Sequence, residues 1–174
     1  MSQYPTGVVV LAIADGGGIQ GMTIGSFTSL SLTPPLVLLC VGKQARMGSL
    51  LAFGRLCSIN VLRADQQALS TYYAGSWKGE SPPPHRFVPW GHVHRMEGAA
   101  LALSCTIAAV LDGGDHYIVT LEVGDRCLGL PPREPLIFHD RRYRRIDPSG
   151  GEDAPDLDRA AGGSPAQLFH DAWE

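Results

Sequence analysis

Between Thr23 and Thr33 the chain is dense in small hydroxyl side chains: Thr23, Ser26, Thr28, Ser29, Ser31 and Thr33. Gly25 permits close backbone approach within this block, and Phe27 adds one aromatic face. Pro34-Pro35 ends any helix and hands over to Leu36–Val41, a short apolar run typical of a buried strand. A hydroxyl-rich surface anchored to a buried strand suits a planar ligand with a phosphate tail. Backbone N–H and C=O groups of residues 23–27, Thr23, Ile24, Gly25, Ser26 and Phe27, can meet the ring edge, while the hydroxyls meet polar groups.

Two cations follow. Lys43 and Arg46 lie on the polar turn after the apolar run, where an anionic tail can be held by charge-assisted hydrogen bonds. His116 follows Gly114-Asp115 at a strand start, in a turn that leaves its ring free to face a cleft. His85, His92 and His94 gather near Trp90, but nothing is spaced to complete a metal site, and the segment reads instead as one that shields a ligand. Neither a nucleophile elbow nor a phosphoryl-transfer motif occurs. Gly16, Gly18 and Gly21 match the Gly-x-Gly-x-x-Gly spelling. The poor helix formers that follow, and Val at position 41 where an acid would be needed, make Asp15-Gly16 a hairpin turn instead.

The elements that must position these residues are mostly strands. Val8–Ala14 is a continuous β-branched run that reads as buried on both faces, and Leu56–Leu62 alternates into another strand. A short helix is expected over Ser49–Phe53, stopped by Gly54. A second is expected after an Asp65 N-cap through Tyr73, with Leu69, Tyr72 and Tyr73 on its buried side. Gly75–Gly91 reads as a long irregular loop with a functional role. Strands then follow over Leu101–Val110, His116–Val123, a short piece at Arg126–Leu128, Leu136–Phe138 and Tyr143–Ile146, with turns at Asp112–Asp115 and His139–Arg141. The fold class is mainly β with short helices (α+β), and the even strand spacing predicts a closed antiparallel barrel.

With 174 residues, 44% apolar and 18% charged, the chain suits one globular domain, placed over 1–146. Residues 147–174, rich in Gly, Pro and acids, read as a flexible tail whose end, Leu168–Trp173, could dock. A net charge of −3 argues against nucleic acid, and the basic cluster Arg141–Arg145 alternates as a strand edge or phosphate-facing patch would. Cys40, Cys57, Cys105 and Cys127 are widely spaced with no signal peptide before them, which reads as reduced core cysteines of a cytoplasmic protein. No apolar run is long enough to cross a bilayer.

Several pieces now line up in order: Tyr4-Pro5-Thr6-Gly7-Val8, then Gly21-Met22-Thr23-x-x-Ser26-Phe27-x-Ser29-Leu30-Ser31-Leu32-x-Pro34-Pro35, Asn60-Val61-Leu62, Gly114-Asp115-His116 and Arg142-Tyr143-Arg144. Together they resemble the short-chain flavin reductases, reductase components of two-component flavin-dependent monooxygenases, over about residues 4–146. The resemblance implies an FMN-binding split β-barrel, Greek-key-like and homodimeric, with flavin near the subunit interface. It implies NAD(P)H-dependent reduction of FMN or FAD, with reduced flavin passing to a partner monooxygenase. The isoalloxazine then belongs against residues 23–27, with Ser29 and Ser31, on one side by strand alternation, toward the ribityl chain. Thr6, Lys43, Arg46, Met47 and Tyr143 join the flavin-binding set, and His116 would sit near the nicotinamide. This sequence departs from the family pattern at Ile24, Gly25, Ala45 and Met47, and it begins almost at the Pro-Thr-Gly that a helix precedes in other members. Two further readings stay open: electron transfer to a corrinoid or iron chelate, and a flavin-binding module without turnover. FMN versus FAD, NADH versus NADPH and the final acceptor are not decided by the sequence.

Overall fold

The computed structural model describes residues 3–129 and 134–146. Among the described residues, twelve strands, one 3-10 turn and one α-helix follow each other. β1 is Thr6–Gly7, β2 Val9–Asp15, β3 Gly18–Ile24, β4 Thr28–Ser31, β5 Leu36–Gly42 and β6 Leu56–Val61. After the helix α1 (Gln67–Tyr73) come β7 Phe87–Trp90, β8 Val93–Met96, β9 Leu101–Gly113, β10 His116–Leu128, β11 Ile137–His139 and β12 Arg142–Arg144. Seven strands form one antiparallel sheet in the order β3-β2-β6-β9-β10-β5-β4. β1, β11 and β12 form a second sheet, and β7 and β8 a separate hairpin.

The expected closed barrel is corrected here. β3 and β4 are the two edges of the large sheet, and no ladder joins them, although only Gly25–Phe27 separates them in sequence. The barrel is split at that point. Ser26 partly spans the gap with its side chain: Oγ accepts from the Cys40 N–H at 2.8 Å and donates to the Cys40 carbonyl at 3.3 Å. That pairing carries the β4–β5 edge past the last backbone partner, Thr28↔Leu38.

β2 is buried on both faces, as its continuous apolar run predicts. Val9, Leu11 and Ile13 face the barrel interior with Leu39, Ile59, Ile107 and Leu121. Val8 and Val10 face a second cluster formed with Leu62, Leu69, Met96 and Leu136. Leu11 and Ile13 are fully buried, and each such side chain contributes about 1.5–3 kcal/mol relative to exposure. Two polar residues are buried between the layers and fully satisfied. Asn60 accepts from the Met96 N–H at 2.7 Å and donates to the Val10 carbonyl at 3.2 Å, while Ser58 donates to the His94 carbonyl at 2.6 Å. These bonds tie the β7–β8 hairpin to β6 and β2.

Other local expectations shift. The 3-10 turn runs Arg46–Leu50, earlier than the helix expected over Ser49–Phe53. Asp65 is not the N-cap of α1: its carboxylate accepts from Arg63 Nε and Nη2, and Gln66 stands at the cap position without a side-chain capping bond. The loop expected over Gly75–Gly91 ends in β7, whose partner β8 holds His94. Segments 116–123 and 126–128 are one strand, β10, paired along β9 with register shifts at Thr120/Leu121 and Val123/Asp125. The glycine hairpin is confirmed between β2 and β3, with positive φ at Gly16 and Gly17. β12 alternates as expected, Tyr143 half-buried between exposed arginines, at the edge of its sheet. The tail assigned to 147–174 lies outside the described residues.

Candidate functional site

β3 is an edge strand, so one side of it remains open, and a cleft of about 700 Å³ forms against it. Its walls are Gln20, Gly21 and Met22 of β3, Ala45–Met47 and Ser49–Leu50 of the 3-10 turn, and Tyr72–Tyr73 at the end of α1. Gly21 is required by close approach: a Cβ there would overlap the Tyr73 ring. The helix that presents both tyrosines has only seven residues and is held from outside itself. Thr23 donates to the Ser70 carbonyl at 2.8 Å, and the Tyr143 hydroxyl donates to Ser70 Oγ at 2.9 Å. Thr23 and Tyr143 therefore seat the helix that forms the cleft wall.

The turn after β5 separates its two cations. Lys43 Nζ lies 2.5 Å from Asp112 Oδ2 and 5.6 Å from the centroid of the Tyr117 ring, so its charge is already engaged. This ammonium, with the Gly114 N–H, holds the Asp112 carboxyl below the usual carboxylate range. Arg46 is exposed on the cleft, and its guanidinium makes no ion pair with any described residue. Met47 lines the same cleft at its base and is otherwise part of the barrel core. His116 begins β10 beside Gly42, does not line the cleft, and has a half-exposed side chain. Its Nδ1–H donates to the Asp115 carboxylate at 2.7 Å, which lowers that carboxyl below its ordinary range, while Nε2 lies over Gly42.

The remaining predicted residues fall around the split. Ile24 is buried in the core, and Thr6 Oγ1 packs on Gly25, where an added Cβ would meet it at 3.2 Å. Gly25, Ser26 and Phe27 lie between two ladders, and no turn or loop backbone hydrogen bond engages them. Their N–H and C=O groups offer an unpaired backbone edge, while the Ser26 hydroxyl is used by Cys40. Ser29 and Ser31 do not share one face by simple alternation, because β4 carries a register shift between them. Tyr72 and Tyr73, assigned to the buried side of a helix by their spacing, are half-buried: Tyr73 packs against the second cluster as expected, and both also line the cleft. A glycine inside a strand was the available signal, since Gly21 marks where a ring must approach. Among the described residues no group of three His, Cys, Asp or Glu could hold a metal.

Residues 1–147 match the family model described as "Flavin reductase like domain". The chain belongs to the flavin reductase-like family. This flavin reductase-like chain is similar to an NADH-dependent FAD reductase of Streptomyces globisporus, 36% identical over 154 residues, covering 86% of this chain and 84% of that one. It is 35% identical to the reductase component of 4-hydroxyphenylacetate 3-monooxygenase of Thermus thermophilus, covering 84% and 92%. Among solved structures it superposes on an NADH:FAD oxidoreductase of Streptomyces globisporus, solved with NAD and FAD fragments, with TM-score 0.74 at 34% identity and coverage of 86% and 90%. The split barrel of the flavin reductase-like chain is thus the fold of its solved relatives. Among its described residues no helix is long and apolar enough to cross a membrane.

Proposed function

We propose that this protein is an NAD(P)H-dependent flavin reductase that delivers reduced FMN or FAD to a partner monooxygenase. The observation that carries the site is an uncommitted Arg46 on a cleft large enough for a nucleotide, with an unpaired backbone edge at Gly25–Phe27 continuing from β3, the strand that walls that cleft. Arg46 supplies a forked cation for a phosphate, and the backbone edge supplies donors and acceptors for a heteroaromatic ring. The aromatic faces of Tyr72 and Tyr73 and the missing Cβ at Gly21 suit a flat ligand. The residues present therefore fit a flavin.

A bound flavin supplies the atom that accepts hydride from the nicotinamide, and the protein needs no base for that transfer. What the chain contributes is binding and alignment. Arg46 fixes the phosphate end, and Gly25–Phe27 fix the ring edge. His116, restrained through Nδ1 by Asp115, presents Nε2 for orienting the nicotinamide. The monooxygenase partner rests on what the relatives are named for. A second copy of the chain completes the assembly: the split leaves two open sheet edges, and Leu30 within β4 and Leu32 just after it are 48% and 53% exposed.

The decisive assay follows NADH and NADPH oxidation in air with and without added FMN or FAD. Turnover that requires free flavin supports the proposal. Turnover only with an added iron chelate or corrinoid would replace it with a different electron acceptor, and no turnover with retained flavin binding would make the protein a binding module.

A further inference from the structure

Tyr73 and His85 form a hydrogen-bonded pair at the edge of the cleft whose protons can be placed. His85 Nδ1 lies 2.7 Å from the Pro83 carbonyl, which can only accept, so Nδ1 carries the imidazole proton. Nε2 is then the acceptor, and the Tyr73 hydroxyl at 2.5 Å donates to it. Burial, with Tyr72 beside it, pushes the Tyr73 phenol above its ordinary value, in keeping with a hydroxyl that retains its proton. The ring is also confined by its neighbours. Tyr72 meets it edge-on at 4.9 Å between centroids, Phe87 at 6.3 Å, and Gly21 lies beneath it without a side chain.

Tyr73 lines the cleft and His85 does not. Only the hydroxyl bond fixes the far end of the ring, because the packing contacts of Tyr72, Phe87 and Gly21 would leave a phenylalanine in much the same place but free to tilt. His85 in turn stands at the end of the segment between α1 and β7, anchored at Pro83. We propose that His85 is a positioning residue for flavin binding: by holding the Tyr73 hydroxyl it sets the tilt of the ring that walls the cleft. This rests on the reading of the cleft as the flavin site. The effect belongs to binding, since the pair touches neither the nicotinamide-side His116 nor the backbone edge at Gly25–Phe27.

The test uses the full chain and FMN and FAD as probes. The parent is titrated first: a parent that neither binds nor reduces flavin ends the functional proposal itself, before any variant is made. With a binding parent, His85→Leu should raise the flavin Kd and KM by about three- to tenfold, the worth of one net hydrogen bond, with kcat about unchanged. Tyr73→Phe should give the same rise, and the double variant no more than either alone, because one bond is removed in each case. His85→Gln, whose amide oxygen can take the place of Nε2 as acceptor, should restore the parent affinity. Parent-like KM in Tyr73→Phe overturns the proposal, as do additive effects in the double variant or failure of Gln to rescue. Should His85→Leu not fold, by far-ultraviolet circular dichroism, Tyr73→Phe and His85→Gln carry the same decision.

Discussion

Arg46 and Lys43 stand three positions apart on one turn and differ in what already holds them. Lys43 is paired with Asp112, whereas Arg46 faces the cleft with no described partner. Arg46→Ala should therefore weaken flavin binding by about ten- to a hundredfold, the range for a hydrogen bond to a charged group, while Lys43→Ala should shift it little. A fluorescence-quenching titration reads both, and equal losses would show that the phosphate is not assigned to Arg46. His116 separates chemistry from affinity. His116→Ala should slow flavin reduction by NAD(P)H about tenfold or more, each factor of ten being about 1.4 kcal/mol of barrier, with flavin Kd unchanged. Equal stopped-flow rates in variant and parent would leave His116 as a hairpin residue paired with Asp115.

At the scale of elements, the cleft depends on how three short pieces are held. α1 is anchored by Thr23 and Tyr143, the β7–β8 hairpin by Asn60 and Ser58, and β4 by Ser26 on β5. Each anchor is a polar side chain bonded to an element that is distant in sequence. Asn60 is the most consequential, because it is fully buried and accepts from the backbone of Met96, which is also fully buried. Asn60→Ala would leave that N–H without a partner in the core. The expected cost is about 2–3 kcal/mol of stability, read from urea unfolding as a lower midpoint with unchanged slope. A loss within experimental error would mean that water or a shifted hairpin satisfies Met96.

For the whole molecule, the open question is what covers the split. The edge strands β3 and β4 carry unpaired backbone groups, and the exposed Leu30 and Leu32 lie in β4 and just after it. A second copy of the chain is the occupant we propose, since an apolar sheet edge left in water invites pairing. Sedimentation velocity at micromolar concentration should show a dimer, and Leu32→Asp should shift it toward monomer. A monomeric parent would overturn the arrangement and place the full flavin site within one chain.

Much of the barrel was legible in the residues themselves. β2 is continuous and β-branched because it is buried on both faces, and the Asp15–Gly18 turn follows from glycines that accept positive φ. The ordered motifs from Thr6 to Tyr143 also led directly to the family, since they report local chemistry that the fold keeps together. What the sequence could not decide was which groups were already spent. Ser26 and Thr23 looked like ligand contacts, yet their hydroxyls bond backbone carbonyls and amides far away in the chain. Lys43 and Arg46 share one turn; the resemblance favours Arg46, but only the arrival of Asp112, 69 residues on from Lys43, shows which cation is already paired. Tyr73 follows the helical spacing of a core residue and packs on the second cluster, and the missing Cβ of Gly21 on an edge strand leaves room for its ring to line a cleft as well. Local spacing determines strands, turns and chemical type; long-range pairing determines which polar groups remain free to bind.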